Sequence, residues 1–129
     1  MRVALATAAA LLLVGCNGGT VDRHALINDA STLDSIACEG ALLAHDVARG
    51  RTTSYFAREQ AEELHIQSSN FADALSQRKT VPGLEQVVRR KAKDAAHLAA
   101  TLQRLHDHPA DEAVGAAVER ALTKMGSCP

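Results

Sequence analysis

Apolar residues recur along most of this chain at alternating spacings of four and three positions, which places them on one face of an α-helix. Four segments show the pattern: about 21–49, 54–78, 83–106 and 109–125. Clusters of turn-forming residues separate these segments. Because short connections between amphipathic helices favour antiparallel packing, we predict an all-α, up-down four-helix bundle over residues 20–129.

The stripes also predict which residues form the core. Helix by helix, they are Leu26, Ala30, Leu33, Ala37, Gly40, Ala44 and Val47; Ala57, Ala61, Leu64, Ser68, Phe71 and Leu75; Leu84, Val88, Lys91, Ala95, Leu98, Leu102 and Leu105; and Val114, Ala117, Val118, Ala121 and Met125. Lys91 can lay its stem on the core while its amine stays in water. Gly126 is expected to end the fourth helix in a left-handed conformation.

The composition agrees with a helical protein that does not bind nucleic acid. Apolar residues make up 47% of the chain but aromatic residues only 2%, so the apolar mass is mainly Ala, Leu and Val, which suits close helix packing. The formal net charge is −1. Removing Arg2 with the first fifteen residues would leave 13 cations against 15 acids. A near-neutral balance argues against nucleic acid as a partner.

The first fifteen residues have the three parts of an export signal. Arg2 supplies a positive charge, residues 3–14 form an apolar stretch, and Gly15 is a small residue at the end of the segment. That stretch is too short to span a bilayer comfortably as a helix. We therefore predict that residues 1–15 are a cleaved signal peptide.

The sequence Leu13-Val14-Gly15-Cys16 resembles the lipobox of bacterial lipoproteins. The resemblance implies that Cys16 is acylated and becomes the mature N-terminus, anchored by its lipid outside the cytoplasm. Asn17 stands where lipoproteins retained in the inner membrane tend to carry Asp. The resemblance therefore favours the outer membrane, or the outer face of the cell membrane in a one-membrane cell. Residues 16–19 would form a short tether that keeps the domain within roughly 15 Å of the headgroups.

Two further cysteines predict a disulfide. With Cys16 acylated, Cys38 and Cys128 remain as an even pair in a compartment that permits oxidation. A straight fourth helix would carry Cys128 well past Cys38. We therefore expect that helix to start lower, to tilt across the bundle, or to be followed by a tail that turns back at Gly126.

Two carboxylate–histidine pairs approach the spacing of di-iron sites in helical bundles. Glu62 precedes His65 by three residues, and Asp94 precedes His97 by three. Helical periodicity directs these residues away from the apolar stripes, where they cannot share a metal in the core. We predict solvated helix faces and no metal in the bundle core.

A second polar group lies where the third and fourth helices meet. His106, His108, Asp111 and Glu112 offer imidazole and carboxylate groups that can bind zinc or copper. Polar residues at a junction also serve as helix caps, and capping is the favoured interpretation here. His24 and His45 have no recognisable partner at ligand spacing.

No motif for nucleophilic catalysis and no glycine-rich phosphate loop is present, so we expect neither an enzyme nor a cofactor. The densest basic run, Arg89-Arg90-Lys91 with Lys93, is interpreted as a solvated helix face, with contact to anionic headgroups or wall polymers as the second interpretation. We expect a non-catalytic envelope lipoprotein that presents a helical surface to an envelope protein or has a structural role. The alternative is metal binding through the 106–112 junction, and the oligomeric state stays open.

The lipobox predicts that replacing Cys16 with Ser abolishes acylation, because the modified atom is the thiol sulfur. The Cys16→Ser protein should accumulate as a precursor or a soluble form, and the parent should partition into the detergent phase. Metabolic labelling with a fatty acid and detergent phase separation would measure both. Equal partitioning of the two proteins would contradict the lipoprotein interpretation.

Overall fold

The structure, a computed structural model, describes residues 19–129. It contains four helices: α1 (Arg23–Ala48), α2 (Ser54–Gln77), α3 (Glu85–Asp107) and α4 (Glu112–Met125). Helix accounts for 78% of these residues, and the β pairing among them is one isolated bridge between Val21 and Thr80. The predicted all-α bundle is confirmed. The predicted signal peptide, residues 1–15, and Cys16 lie outside the described residues.

Polar side chains cap the first turn of three helices. The bonds run from the Ala25 N–H to Asp22 at 2.8 Å, from Phe56 to Thr53 at 3.2 Å and from Val114 to Asp111 at 3.0 Å. They satisfy N–H groups that have no partner within the helix. Since Asp111 is a cap, α4 begins at Glu112 and not near Pro109 as predicted.

Successive helices run antiparallel, as an up-down bundle requires. The closest packing lies within the α2–α3 pair and the α1–α4 pair, whereas the diagonal contact of α1 with α3 is slight. The α2–α3 pair includes a hydrogen bond of 2.9 Å between the His65 Nδ1 and the carbonyl oxygen of Ala99. The predicted stripes of α1, α2 and α3 face the interior, apart from partial exposure of Ala30, Phe71, Leu84 and Lys91.

The two ends of the bundle are built differently because α4 is short, 14 residues against 26 in α1. Gly115 lies against Ala44 and Ala48, and Gly126 lies against Ala37, so α4 covers only the C-terminal half of α1. We call that half, with the α1–α2 connection, the distal end. Among the described residues, the opposite or basal end contains α1, α2 and α3 without α4, and a small cluster of Val21, Leu26, Leu75 and Val88 closes it.

The buried face of α4 differs from the predicted one. Gly115, Val118 and Leu122 are its buried residues, whereas Val114, Ala117, Ala121 and Met125 lie partly exposed at the edges. The prediction missed Gly115 because a glycine adds no apolar side chain to a stripe. Its lack of a side chain is what brings the α4 backbone onto α1, since a Cβ there would lie 2.7 Å from the Ala48 nitrogen and 3.0 Å from the Ala44 oxygen.

The left-handed conformation predicted for Gly126 is also wrong. Gly126 ends α4 with φ −102° and ψ 156°, an extended conformation open to any residue. A Cβ at this position would lie 3.0 Å from the Cys38 Sγ and 3.1 Å from the Ala37 Cβ. Glycine therefore eases the close approach to α1 and does not form a left-handed turn.

The predicted disulfide joins Cys38 to Cys128, with Cα atoms 5.3 Å apart. Because α4 ends at Met125, beside the Cys38 level of α1, the extended tail from Gly126 has only a short distance to cross. Residues 126–128 leave the helix, so the bond does not require α4 to tilt across the bundle.

Gly115→Ala should destabilise the fold by about 1 to 3 kcal/mol, because its methyl group meets α1 backbone atoms that cannot rotate away. Gly40→Ala is the matched control. Its Cβ would meet the side-chain ends of Leu102 and Leu122, which can move, and alanine favours helix by about 0.5 to 1 kcal/mol. Urea unfolding would compare the two. An unchanged midpoint in Gly115→Ala would contradict the tight α1–α4 approach.

Replacing both Cys38 and Cys128 with Ser should lower the free energy of unfolding by about 4 to 5 kcal/mol in the chain-entropy model. The reason is the long loop that the bond closes, since the cysteines are 90 residues apart. Urea unfolding of the exported protein would measure the loss, and peptide mapping without reduction would verify the bond. Free thiols in protein exported under oxidising conditions would refute it.

Candidate interaction surfaces

The structure separates the residues of the predicted metal junction. The Nε2 of His106 lies 3.5 Å from the Oε2 of Glu62 on α2, and its Nδ1 lies 3.0 Å from the Oδ1 of Asp107. Hydrogen bonds from His106 and Gln103 hold the pKa of Asp107 below its ordinary value. His106 therefore forms a contact between α2 and α3.

The other three junction residues contribute to local structure near the helix ends. His108 ends α3, with its N–H donating to the Arg104 carbonyl, and Asp111 caps α4. Glu112 lies beside the α1–α2 turn, where its Oε1 would be 3.5 Å from a Cβ at Gly50. Among residues 19–129, no three His, Cys, Asp or Glu side chains are grouped to hold a metal ion.

The two carboxylate–histidine pairs do not converge either. Glu62 contacts His106, and His65 bonds to the Ala99 carbonyl. Asp94 and His97 lie exposed on α3. The two pairs engage neighbouring helices separately or face solvent.

One ionic cluster was not predicted from the sequence. The His45 Nδ1 lies 2.8 Å from the Glu119 Oε1, and the His45 Nε2 lies 2.7 Å from the Arg51 guanidinium. Arg49 approaches the other Glu119 oxygen at 3.8 Å. His45 and Glu119 are 74 residues apart, so no local spacing could reveal this pair. The cluster ties the end of α1 to α4.

Large apolar side chains lie exposed at the distal end. Leu42 is 70% exposed, Tyr55 75% and Phe56 53%. Leu42 and Phe56 line one shallow cavity between α1 and α2, and Tyr55 adjoins Phe56 in the first turn of α2. Only three aromatic residues occur in the chain, and two of them are in this group. We call Leu42, Tyr55 and Phe56 the distal apolar patch.

At the basal end, the segment before α1 is fixed to the connection between α2 and α3. The Val21 N–H donates to the Lys79 carbonyl at 2.7 Å, and the Val81 N–H donates to the Val21 carbonyl at 3.0 Å. The Arg78 Nε also donates to the Gly19 carbonyl at 3.3 Å. The direction from which the chain enters the domain is therefore set by backbone pairing.

Comparisons with protein-family models, with curated proteins and with solved structures find no match to this chain. The surfaces described here are therefore interpreted from their own chemistry. Of the helices within residues 19–129, none has a stretch long and apolar enough to cross a membrane.

The basal end also carries the basic run noted in the sequence, but the run is divided between two sides of α3. Arg89 and Lys93 line a groove of about 720 Å³ between α2 and α3, together with Arg78. Lys91 is half-buried on another side of α3, where it lines a cavity with Asp34 and Lys124. Arg78, which is not part of the run, therefore joins the cations of this groove. Lys91, which is part of the run, does not.

A partly buried carboxylate adjoins the same end. The Asp29 Oδ2 is buried without a hydrogen-bond partner among the described residues. Burial raises the pKa of Asp29, and the positive charge of Arg78 opposes this rise. Arg78 therefore interacts with both α1 and the entering chain, which makes it a structural cation.

Proposed function

We propose that this protein is a lipid-anchored, non-catalytic envelope protein whose helical domain binds another envelope protein through the distal apolar patch. The anchor is the acyl group on Cys16, and the supporting sequence is the lipobox Leu13-Val14-Gly15-Cys16. The observation that carries the binding role is the exposure of Leu42, Tyr55 and Phe56.

The two exposed aromatic side chains of the patch contrast with the third aromatic residue of the chain, which packs against the core. Phe71, the third aromatic residue, packs partly buried against the core, whereas Tyr55 and Phe56 lie largely in solvent. Aromatic side chains are enriched at protein interfaces because they bury a large area with few rotatable bonds. Contiguous exposed apolar groups bordered by polar residues are typical of protein contact sites.

The border of the patch supports a protein partner. Glu39, Asp46 and Gln60 line the same cavity as Leu42 and Phe56. An apolar centre with a polar rim is the usual arrangement of a non-obligate interface. The acidic rim also makes this part of the surface unsuited to an anionic membrane, so the partner is expected in the aqueous space.

A photo-crosslinking amino acid placed at Tyr55 should capture a discrete protein partner in intact cells, because the position is exposed within the patch. The same amino acid at Ala100, which is exposed on α3, is the control. Immunoblotting and mass spectrometry would identify the product. We expect a distinct crosslinked band from position 55 and none of the same mass from position 100.

A second variant tests whether the patch itself makes the contact. Leu42→Ser, added to the position 55 probe, should reduce the crosslinked fraction at least tenfold without changing the helical circular dichroism, because Leu42 is 70% exposed. Ile66→Ser is the matched control, since Ile66 is 43% exposed but lies in the middle of α2, outside the patch. Absence of a position-specific product, or equal loss in both variants, would contradict the proposed binding surface.

A further inference from the structure

The outermost layer of the basal end has more cations than acids. Its cations are Arg23, Arg78, Lys79, Arg89 and Arg90, and its acids are Asp22, Asp73 and Glu85, with the partly buried Asp29 close to Arg78. Asp22 accepts the Ala25 N–H and Glu85 accepts the Gly83 N–H, bonds that fix these two carboxylates but leave their negative charges in place. The side-chain ion pairs within residues 19–129 all involve His45, Arg49, Arg51 or His106, so no cation of this layer is held in a direct ion pair.

The same end is the one from which the chain leads to Cys16. The Gly19 carbonyl accepts a hydrogen bond from Arg78. The Val21 N–H and carbonyl both form hydrogen bonds with the 79–81 connection. Only three residue steps separate Gly19 from Cys16, and they reach at most about 11 Å. This distance is close to the Debye length of about 8 Å at physiological ionic strength. Charges at the basal end therefore lie within effective electrostatic range of whatever surface holds Cys16.

The connection between α2 and α3 also exposes apolar atoms beside its cations. Val81 is 37% exposed and Pro82 beside it is exposed as well, and Val87 in the first turn of α3 is 40% exposed. A loop with basic residues on its flanks and small apolar groups at its tip suits the boundary between headgroups and acyl chains. A soluble polyanion would engage the cations but would gain nothing from Val81 and Pro82.

We infer that the basal end docks on the anionic phospholipid headgroups of the membrane that holds the anchor, with the α2–α3 connection as the contact. This inference rests on the proposed lipid anchoring and adds an orientation to it. The bundle stands end-on, with α1 rising from the surface and the distal apolar patch directed away. Lys79, Arg89 and Arg90 supply the attraction, while Arg78 holds the entering chain in place.

The test uses the mature chain without Cys16, residues 17–129, exported behind an ordinary cleavable signal so that the disulfide can form. Flotation with vesicles would measure its partition coefficient for phosphatidylglycerol mixed into phosphatidylcholine and for phosphatidylcholine alone. We expect binding only to the anionic vesicles, weakened by salt. Because this chain has no anchor, the result is independent of whether Cys16 is acylated.

Matched charge variants locate the contact. Lys79→Gln, Arg89→Gln and Arg90→Gln together should lower the partition coefficient about a hundredfold, since each cation near an anionic surface contributes about fivefold. Arg104→Gln, Arg120→Gln and Lys124→Gln together remove the same charge from exposed sites outside the basal end and should change it less than tenfold. Circular dichroism would verify that both variants remain helical.

Three results would overturn the inference. One is the absence of binding to anionic vesicles, and another is an equal loss in the two triple variants. The third is displacement by glycerol 3-phosphate at a phosphate concentration equal to that of the lipid, which would indicate a site for a single phosphate ion and not a docking surface.

Discussion

The close approach of α4 to α1 is the constraint on which the rest of the structure depends. Gly115 brings the α4 backbone onto the last turns of α1, and Gly126 does the same beside Cys38. A side chain at Gly115 would push α4 outward and uncover Val118 and Leu122, which are fully buried. The position of Cys128 follows from this approach, because the residues after Met125 have only to cross to α1.

The shortness of α4 has a consequence at the opposite end. Its 14 residues extend about 21 Å, whereas the 26 residues of α1 extend about 39 Å. Within residues 19–129, α4 does not reach the basal end, and Val21 enters the gap as a fully buried side chain. Its backbone pairs with the 79–81 connection, so the hydrogen bonds that orient the entering chain also close the smaller core.

Most of the fold could be predicted from the sequence because three helices carry complete apolar stripes. In α1, for example, Leu33, Ala37 and Ala44 are buried as their spacing predicts. The stripe on α4 was right only for Val118 and missed Leu122 and Gly115, the last because an apolar pattern does not count a glycine. The disulfide could be predicted because it depends on the number and compartment of the cysteines and not on their geometry.

The candidate surfaces were harder to predict, since they depend on which distant residues the fold brings together. His45 with Glu119 and Glu62 with His106 join helices that are far apart in sequence. The basic run appeared continuous in the sequence, yet the helix turns Lys91 away from Arg89 and Lys93. The link between this run and the entering chain required the Val21 pairing, which no local pattern indicates. The lipid anchor on Cys16 stays a prediction of the lipobox alone.

On the proposed anchoring, the two ends of the domain have separate partners because their surfaces have opposite character. The basal end offers cations and small apolar groups, which suit a phosphate-rich surface, whereas the distal patch offers aromatic groups rimmed by Glu39 and Asp46. Leu42 is 19 residues along α1 from Arg23, or about 29 Å at 1.5 Å per residue. An upright bundle would therefore present Leu42 and Phe56 about three nanometres above the headgroups. Since a short tether and a charged base both restrict tilting, the partner's binding site must lie near that height and face the aqueous space.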